Sequence, residues 1–299
     1  MTRGWLSLIA GLACAAGCGG SPEAERDRWR EAADAACDRA ERAIRAEGAP
    51  RDQRDLERVM VAVREHVQAA ADEIRDLEVP EDGRQQVSAV VKDLARAERT
   101  VVEVERAATD HEQLIAIADE TRLEAIDYKD HAEQAGLRRC AREEQGIAAA
   151  DAILMPGYAA ELAVVIGALR DGLAMAERRG DPSGTKTQRA RYWTPIAATA
   201  DSLFVPASEP ETLRDPSAEF TTALQELASS AGALPSYYSP EVRRFSAADV
   251  RHTERRARRA LADVRRSGLA LLEATGPAGE RFLEALGGAQ ANGARGSAG

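Results

Sequence analysis

Side chains able to do chemistry are few and thinly spread in this chain. Of its 299 residues four are histidine and four cysteine. The histidines, His66, His111, His131 and His252, complete no Glu-x-x-His or His-Glu-x-x-His motif. Nor is there a Walker loop, a Gly-x-Gly-x-x-Gly turn or a Gly-x-Ser-x-Gly elbow. One constellation has ligand types at helical spacing. Glu124, Asp127 and His131, three and four residues apart, could share a helix face and hold a divalent cation. In a helix this acidic the same spacing arises by chance, and the plainer expectation is a solvated face with His131 beside the helical seam. No acid pair stands isolated among apolar residues, the setting that would split two carboxyl pKa values for acid–base work. The chain therefore reads as non-catalytic, with no cofactor.

The second chemical feature is a run of arginines. Arg251, Arg255, Arg258 and Arg259 fall on one face of a helical segment, with Arg266 nearby. Such a face suits anionic material, whether lipid headgroups, acidic polymers or another protein. The plain alternative is a solvated face neutralised by Glu254 and Asp263 or docked on acidic surface elsewhere. Acid is plentiful: 50 acidic against 40 basic residues give a net charge of −10. It is also localised, with 31 acids against 21 bases between Cys18 and Glu143 and 19 against 18 from Glu144 onward. That balance argues against nucleic acid as a partner, since phosphate binding needs a cationic surplus.

The elements that must position these residues read as helices throughout. Hydrophobic residues make up 44% and aromatics only 4% of the chain, a balance that suits close-packed helices better than a β-sandwich. Trp29, Ala33, Cys37, Ala40 and Ile44 repeat at steps of three and four, and Gly48-Ala49-Pro50 breaks that helix. Leu56, Val59, Val63, Val67, Ala70, Ile74 and Leu77 form a second stripe, stopped by Pro80. Val87, Val90, Leu94, Ala97, Val101, Val104 and Ala108 form a third. Leu114, Ala118, Thr121, Ala125, Tyr128, Ala132 and Ala135 form a fourth, closed by Gly136. Short connections make successive helices antiparallel neighbours. The expected fold is all-α, an antiparallel helical bundle without β-sheet, with room for two tandem four-helix units.

The boundaries expected are an acidic four-helix bundle over 18–140, a second helical bundle over 141–286 and a disordered tail over 287–299. The second unit carries echoes of the first: Leu77-Glu78-Val79-Pro80 recurs as Leu203-Phe204-Val205-Pro206, and Val250, Ala257, Leu261, Val264 and Leu271 mimic the fourth stripe. Gly, Pro and Ser content marks 180–188 and 229–240 as loops. The apolar stretch 152–169 is short for a membrane span and carries Glu161 at its middle, so a buried bundle helix is expected.

The amino terminus reads as an address. Arg3 precedes an uncharged apolar run from Trp5 to Ala16, too short to cross a bilayer and shaped like a signal peptide over 1–17. It ends in Ala15-Ala16-Gly17-Cys18, which resembles the lipobox of bacterial lipoproteins. The resemblance implies that Cys18 is diacylglycerated and becomes the mature first residue, anchored in the bilayer on the extracytoplasmic face of the cell membrane. With Gly19 following, the family's sorting rule implies the outer membrane if the cell has one. Two acyl chains anchor stably where one binds only marginally.

With Cys14 in the leader and Cys18 given to lipid, Cys37 and Cys140 remain. An even remainder in an oxidising compartment favours one disulfide, against two free thiols or a metal site lacking further ligands. The stretch Ala132–Cys140 resembles the tail of small lipoproteins of high-GC Gram-positive bacteria, whose Gly-Leu-x-x-Cys ending pairs with a cysteine of the first helix. That likeness covers roughly 18–140 and implies the Cys37–Cys140 link without implying an activity. The expected role is a membrane-anchored, non-catalytic interaction or structural protein of the envelope, meeting anionic envelope polymers or another envelope protein. The competing expectation is a bundle that binds a small ligand or a metal.

Overall fold

The computed structural model of the chain describes residues 22–79, 81–141, 143–206, 209–239 and 245–284. The leader 1–17, Cys18 and the tail 287–299 lie outside the described residues. The chain forms α1 (Pro22–Glu47), α2 (Gln53–Asp76), α3 (Arg84–Ala107), α4 (His111–Gln134), α5 (Glu143–Arg179), α6 (Lys186–Ser202), α7 (Arg214–Tyr238) and α8 (Ala247–Ala274), with a further helical stretch over 277–284. Among the described residues there is no strand. The protein is an all-α bundle in which each helix packs on its successor, up and down.

Local chemistry sets the helix starts. The Asp52 carboxylate accepts from the Arg54 and Asp55 amides to open α2, and Asp110 accepts from Gln113 to open α4. Thr185 with Gln188 and Ser246 with Asp249 form reciprocal capping boxes on α6 and α8. At the end of α4, Gly136 has φ +76°, its amide bonds the Glu133 carbonyl and the Leu137 amide bonds that of Ala132. This left-handed cap reverses the chain. A Cβ at 136 would lie 2.6 Å from Arg30 Nε, so both conformation and space call for glycine.

The core has three parts, and they do not respect the boundary expected after Cys140. In the lower core Trp29, Ala33, Ala36 and Cys37 of α1 meet the end of α2 (Ala71, Ile74), the start of α3 (Val87, Val90, Leu94) and the end of α4 with Leu137 and Cys140. In the upper core Leu56, Val59 and Met60 meet Val101, Val104 and Ala107, Leu114 and Ala118, and then Ala150, Ile153 and Leu154 of α5. Beyond Cys37, α1 has no fully buried residue; Ala40 and Ile44 are half-buried. The fourth position of the first bundle is therefore shared, α1 filling its lower part and α5 its upper part. From Tyr158 onward α5 enters a third core with Trp193, Ile196, Phe220, Leu227, Leu234, Leu261, Val264 and Leu271.

One continuous helix thus serves both bundles. At 37 residues, α5 is about 55 Å long. Its changeover falls between Leu154 and Tyr158, where Pro156 removes one backbone donor and Gly157 has no side chain. A Cβ at 157 would lie 2.5 Å from His111 Nδ1, so the glycine lets the start of α4 press against α5. Ala148–Arg179 is, among the described residues, the stretch long and apolar enough to cross a membrane, with 44% of its apolar window buried. The buried helix expected over 152–169 is so on one face only: Val164 is 71% exposed, and exposed Glu161 pairs with His111 at 3.1 Å.

Two further expectations need correction. Residues 229–238 are not a loop; α7 runs through them to Tyr238 because Ser230, Ala231, Leu234 and Tyr238 are all buried, and that burial outweighs the Ser and Pro content. The loop expected over 180–188 ends at Thr185, whose cap makes Lys186–Gln188 the first turn of α6. The echo between halves has a local counterpart: α2 and α6 both end in an extended Leu cap (Leu77, Leu203), and each is followed by a 3-10 turn (Glu81–Gly83, Glu211–Leu213) that leads into the next helix.

Asp151 joins the two units. Its carboxylate accepts from the Glu211 amide at 2.8 Å, the Thr212 amide at 3.0 Å and the Thr212 hydroxyl at 2.7 Å. Arg122 Nη2 stands 3.5 Å away from α4. The residue is 4% exposed, so nothing from solvent can replace these partners. Asp151→Ala should cost about 3–5 kcal/mol and speed hydrogen exchange at the Glu211 and Thr212 amides. Thermal melts and exchange mass spectrometry check this; unchanged midpoint and protection would refute it.

Candidate functional site

The sequence singled out three groups of residues, and the structure treats them differently. Cys37 and Cys140 form a disulfide with sulfurs 2.07 Å apart and Cα atoms 5.4 Å apart. The end of α4 stands level with Arg30, whose Nε donates to the Ala135 carbonyl at 3.3 Å. Past Gly136 the chain climbs α1: the Asp34 carboxylate accepts from the Arg138 and Arg139 amides at 3.1 and 2.7 Å. One turn higher Cys140 reaches Cys37. The Tyr128 hydroxyl lies 3.7 Å from Cys37 Sγ, and Cys140 is fully buried.

Glu124, Asp127 and His131 share a helix but do not converge as the weaker, metal-binding alternative would need, nor do they form a merely solvated face. Each is taken by α3. Glu124 accepts from the Thr100 hydroxyl at 3.0 Å and pairs with Arg96 Nε at 3.5 Å, while Asp127 stands 3.8 Å from Arg96 Nη1. His131 Nδ1 meets the buried Asp93 carboxylate at 2.6 Å. Burial pushes the Glu124 carboxyl above its ordinary value, opposed by the Thr100 hydrogen bond and the Arg96 charge. These are interhelical pairings between α3 and α4, and among the described residues no three His, Cys, Asp or Glu side chains are placed to hold a metal ion.

The arginine face is assembled. On α8 Ala257, Ala260, Leu261, Val264, Gly268, Leu271 and Leu272 face the core. At 100° per residue Arg255, Arg259 and Arg266 point directly away, flanked by Arg251 and Arg258; all five are exposed. Two are engaged: Arg258 donates to the Pro182 carbonyl at 2.9 Å and Arg266 to Asp263 at 2.7 Å. Arg251, Arg255 and Arg259 form no ion pair among the described residues. They follow one another every four residues, about 6 Å of rise per step.

Glu254 does not neutralise this face, contrary to the plain expectation. It is 9% exposed, turned inward to accept from Arg189 Nη1 at 3.0 Å and from the Tyr238 hydroxyl. Burial first, and then this carboxylate, push the Tyr238 phenol well above its ordinary range. Asp151 is a polar residue that the sequence reading missed, and Glu254 is one that it placed on the wrong face. Asp151 leaves a usable signal, a lone acid opening an apolar run; Glu254 sits among arginines and leaves none.

Compared with known proteins, the chain matches no family model, no curated protein and no solved structure.

The disulfide closes a loop whose ends are 103 residues apart, so in the chain-entropy picture it stabilises by roughly 4–5 kcal/mol. A non-reducing digest should yield one cross-linked pair of peptides carrying Cys37 and Cys140. Reduction should lower the melting point sharply. Two alkylatable thiols in the oxidised protein would refute the link.

Proposed function

We propose that this chain is a lipid-anchored protein of the bacterial envelope that holds a basic helix away from the membrane to engage an anionic envelope polymer. The observation that carries the proposal is the row Arg251, Arg255 and Arg259, solvated on the outer face of α8 without an ion pair among the described residues. A row of fixed cations at regular rise suits a flexible polyanion, whose charges can adapt to the spacing.

The architecture supports the anchoring half of this reading. With Cys18 acylated, only Gly19, Gly20 and Ser21 separate the lipid from Pro22, so the start of α1 lies within about 14 Å of it. The second bundle docks at the opposite end of the first, where Arg281 pairs with Asp52 at 3.3 Å and α5 passes His111. Between the two ends runs the length of α1, 26 residues or about 39 Å. The up-and-down order of α5 to α8 then puts Arg251 toward the far end of the second bundle. A buried disulfide is consistent with an oxidising, extracytoplasmic setting. The short lever between anchor and bundle makes the molecule a spacer rather than a tethered float.

Two measurements test this. Cys18→Ala should move the protein from the membrane fraction to the soluble fraction of fractionated cells; retention would overturn the anchor. Arg251→Glu, Arg255→Glu and Arg259→Glu combined should weaken retention on an immobilised poly(glycerol phosphate) by roughly tenfold or more at low salt, with the difference vanishing as salt screens it. Because the three positions face solvent, circular dichroism should stay unchanged, and equal retention of variant and parent would overturn the basic-face proposal.

A further inference from the structure

A cleft of about 370 Å³ opens between the end of α6, the extended segment 203–206, Glu209 and the first half of α7. Its chemistry is one-sided. Leu203, Val205, Leu224 and Ala228 give it apolar walls, Ser217 and Thr221 bring hydroxyls, and Asp201 and Glu209 bring two carboxylates; among the described residues no Lys, Arg or His lines it. Phe204 is at its edge, with its ring 81% exposed.

A buried polar atom backs the cleft. Tyr158 of α5 is wholly buried, and its hydroxyl lies against the side chain of Ser217 and in the field of Glu209, both of which line the cleft. Burial pushes its phenol up, opposed by the Ser217 hydrogen bond and helped by the Glu209 charge. The walls are also held in advance. Leu203 is the extended cap of α6, and just beyond Glu209 the backbone is clamped by Asp151 through Glu211 and Thr212.

We propose that this cleft binds a small organic cation, a protonated nitrogen carried on a compact apolar body. The nitrogen sits between Asp201 and Glu209, within reach of the Ser217 hydroxyl. The body lies on Leu203, Leu224 and Ala228, and Phe204 closes over it, its ring face turned to the charge. The volume matches such a ligand, at the small end of natural binding pockets. An anion would meet two carboxylates with no compensating base. A neutral apolar molecule would draw nothing from the two carboxylates. The site is separate from the arginine face and independent of the anchor.

Calorimetric titration of the mature protein with 2-phenylethylammonium, against the neutral 2-phenylethanol, tests the proposal. The ammonium should bind saturably at one site, at least roughly tenfold tighter than the alcohol. Asp201→Asn combined with Glu209→Gln should remove most of that preference, and Phe204→Ala should weaken the ammonium several-fold. Backbone amide shifts on binding should cluster at 201–209 and 217–228. Should the double variant lose its helical signal, the ammonium-to-alcohol ratio and the shift map on the parent protein decide. No saturation, equal affinity for the two probes, or shifts elsewhere would overturn the proposal.

Discussion

A single buried carboxylate holds the two halves of this protein in register. Asp151 sits on α5 at the level where that helix leaves the first bundle, and it accepts three hydrogen bonds from the turn that opens α7. Charge-assisted bonds of this kind are strong because the site is dry, and for the same reason they are costly to lose. Once the turn is fixed, α7 starts level with Asp151 and runs between α6 and α8, diagonal to α5. Phe220, Leu224 and Leu227 then meet Tyr158, Leu162 and Val165 in one core. The second bundle thus inherits its placement from one side chain of the helix it shares with the first.

Much of the first bundle was legible in the sequence because its helices are amphipathic. Leu56, Val59 and Ile74 of α2, Val87, Val90 and Leu94 of α3, and Leu114, Ala118 and Ala132 of α4 are all buried as their spacing implies. Gly136 also read correctly, since a glycine after the last periodic residue has few other uses. The junction was not legible. From 148 to 169 α5 is apolar around most of its circumference, so its periodicity carries no record of which residues face which core. The exchange between α1 and α5 is likewise hidden, because Ala40 and Ile44 continue the stripe of α1 although the upper core is filled by Ala150, Ile153 and Leu154.

The site residues show the same division. The arginine face could be read because a helical repeat maps sequence directly onto one surface. The partners of Glu124, Asp127 and His131 could not be read for a related reason: sharing a face of α4 says nothing about what α3 presents to it, and Arg96, Thr100 and Asp93 divide the three between them. The cleft beside Phe204 was invisible because its two carboxylates, its hydroxyls and Tyr158 come from three helices and a connection. The sequence marked Leu203-Phe204-Val205-Pro206 only as an echo of Leu77–Pro80, and the aromatic at 204, where the earlier copy has Glu78, is where the copies part.

The cysteine pair has a mechanical consequence. Tension applied at the start of α1 enters through Pro22 and travels about four turns along the helix to Cys37. There it crosses the sulfurs to Cys140, three residues before α5 begins. The covalent load path therefore skips everything between Cys37 and Cys140 and continues directly into the longest rod of the protein. The end of α1 and all of α2, α3 and α4 hang beside that path unstressed, and a pull that would otherwise unzip the first bundle is borne by bonds instead of packing.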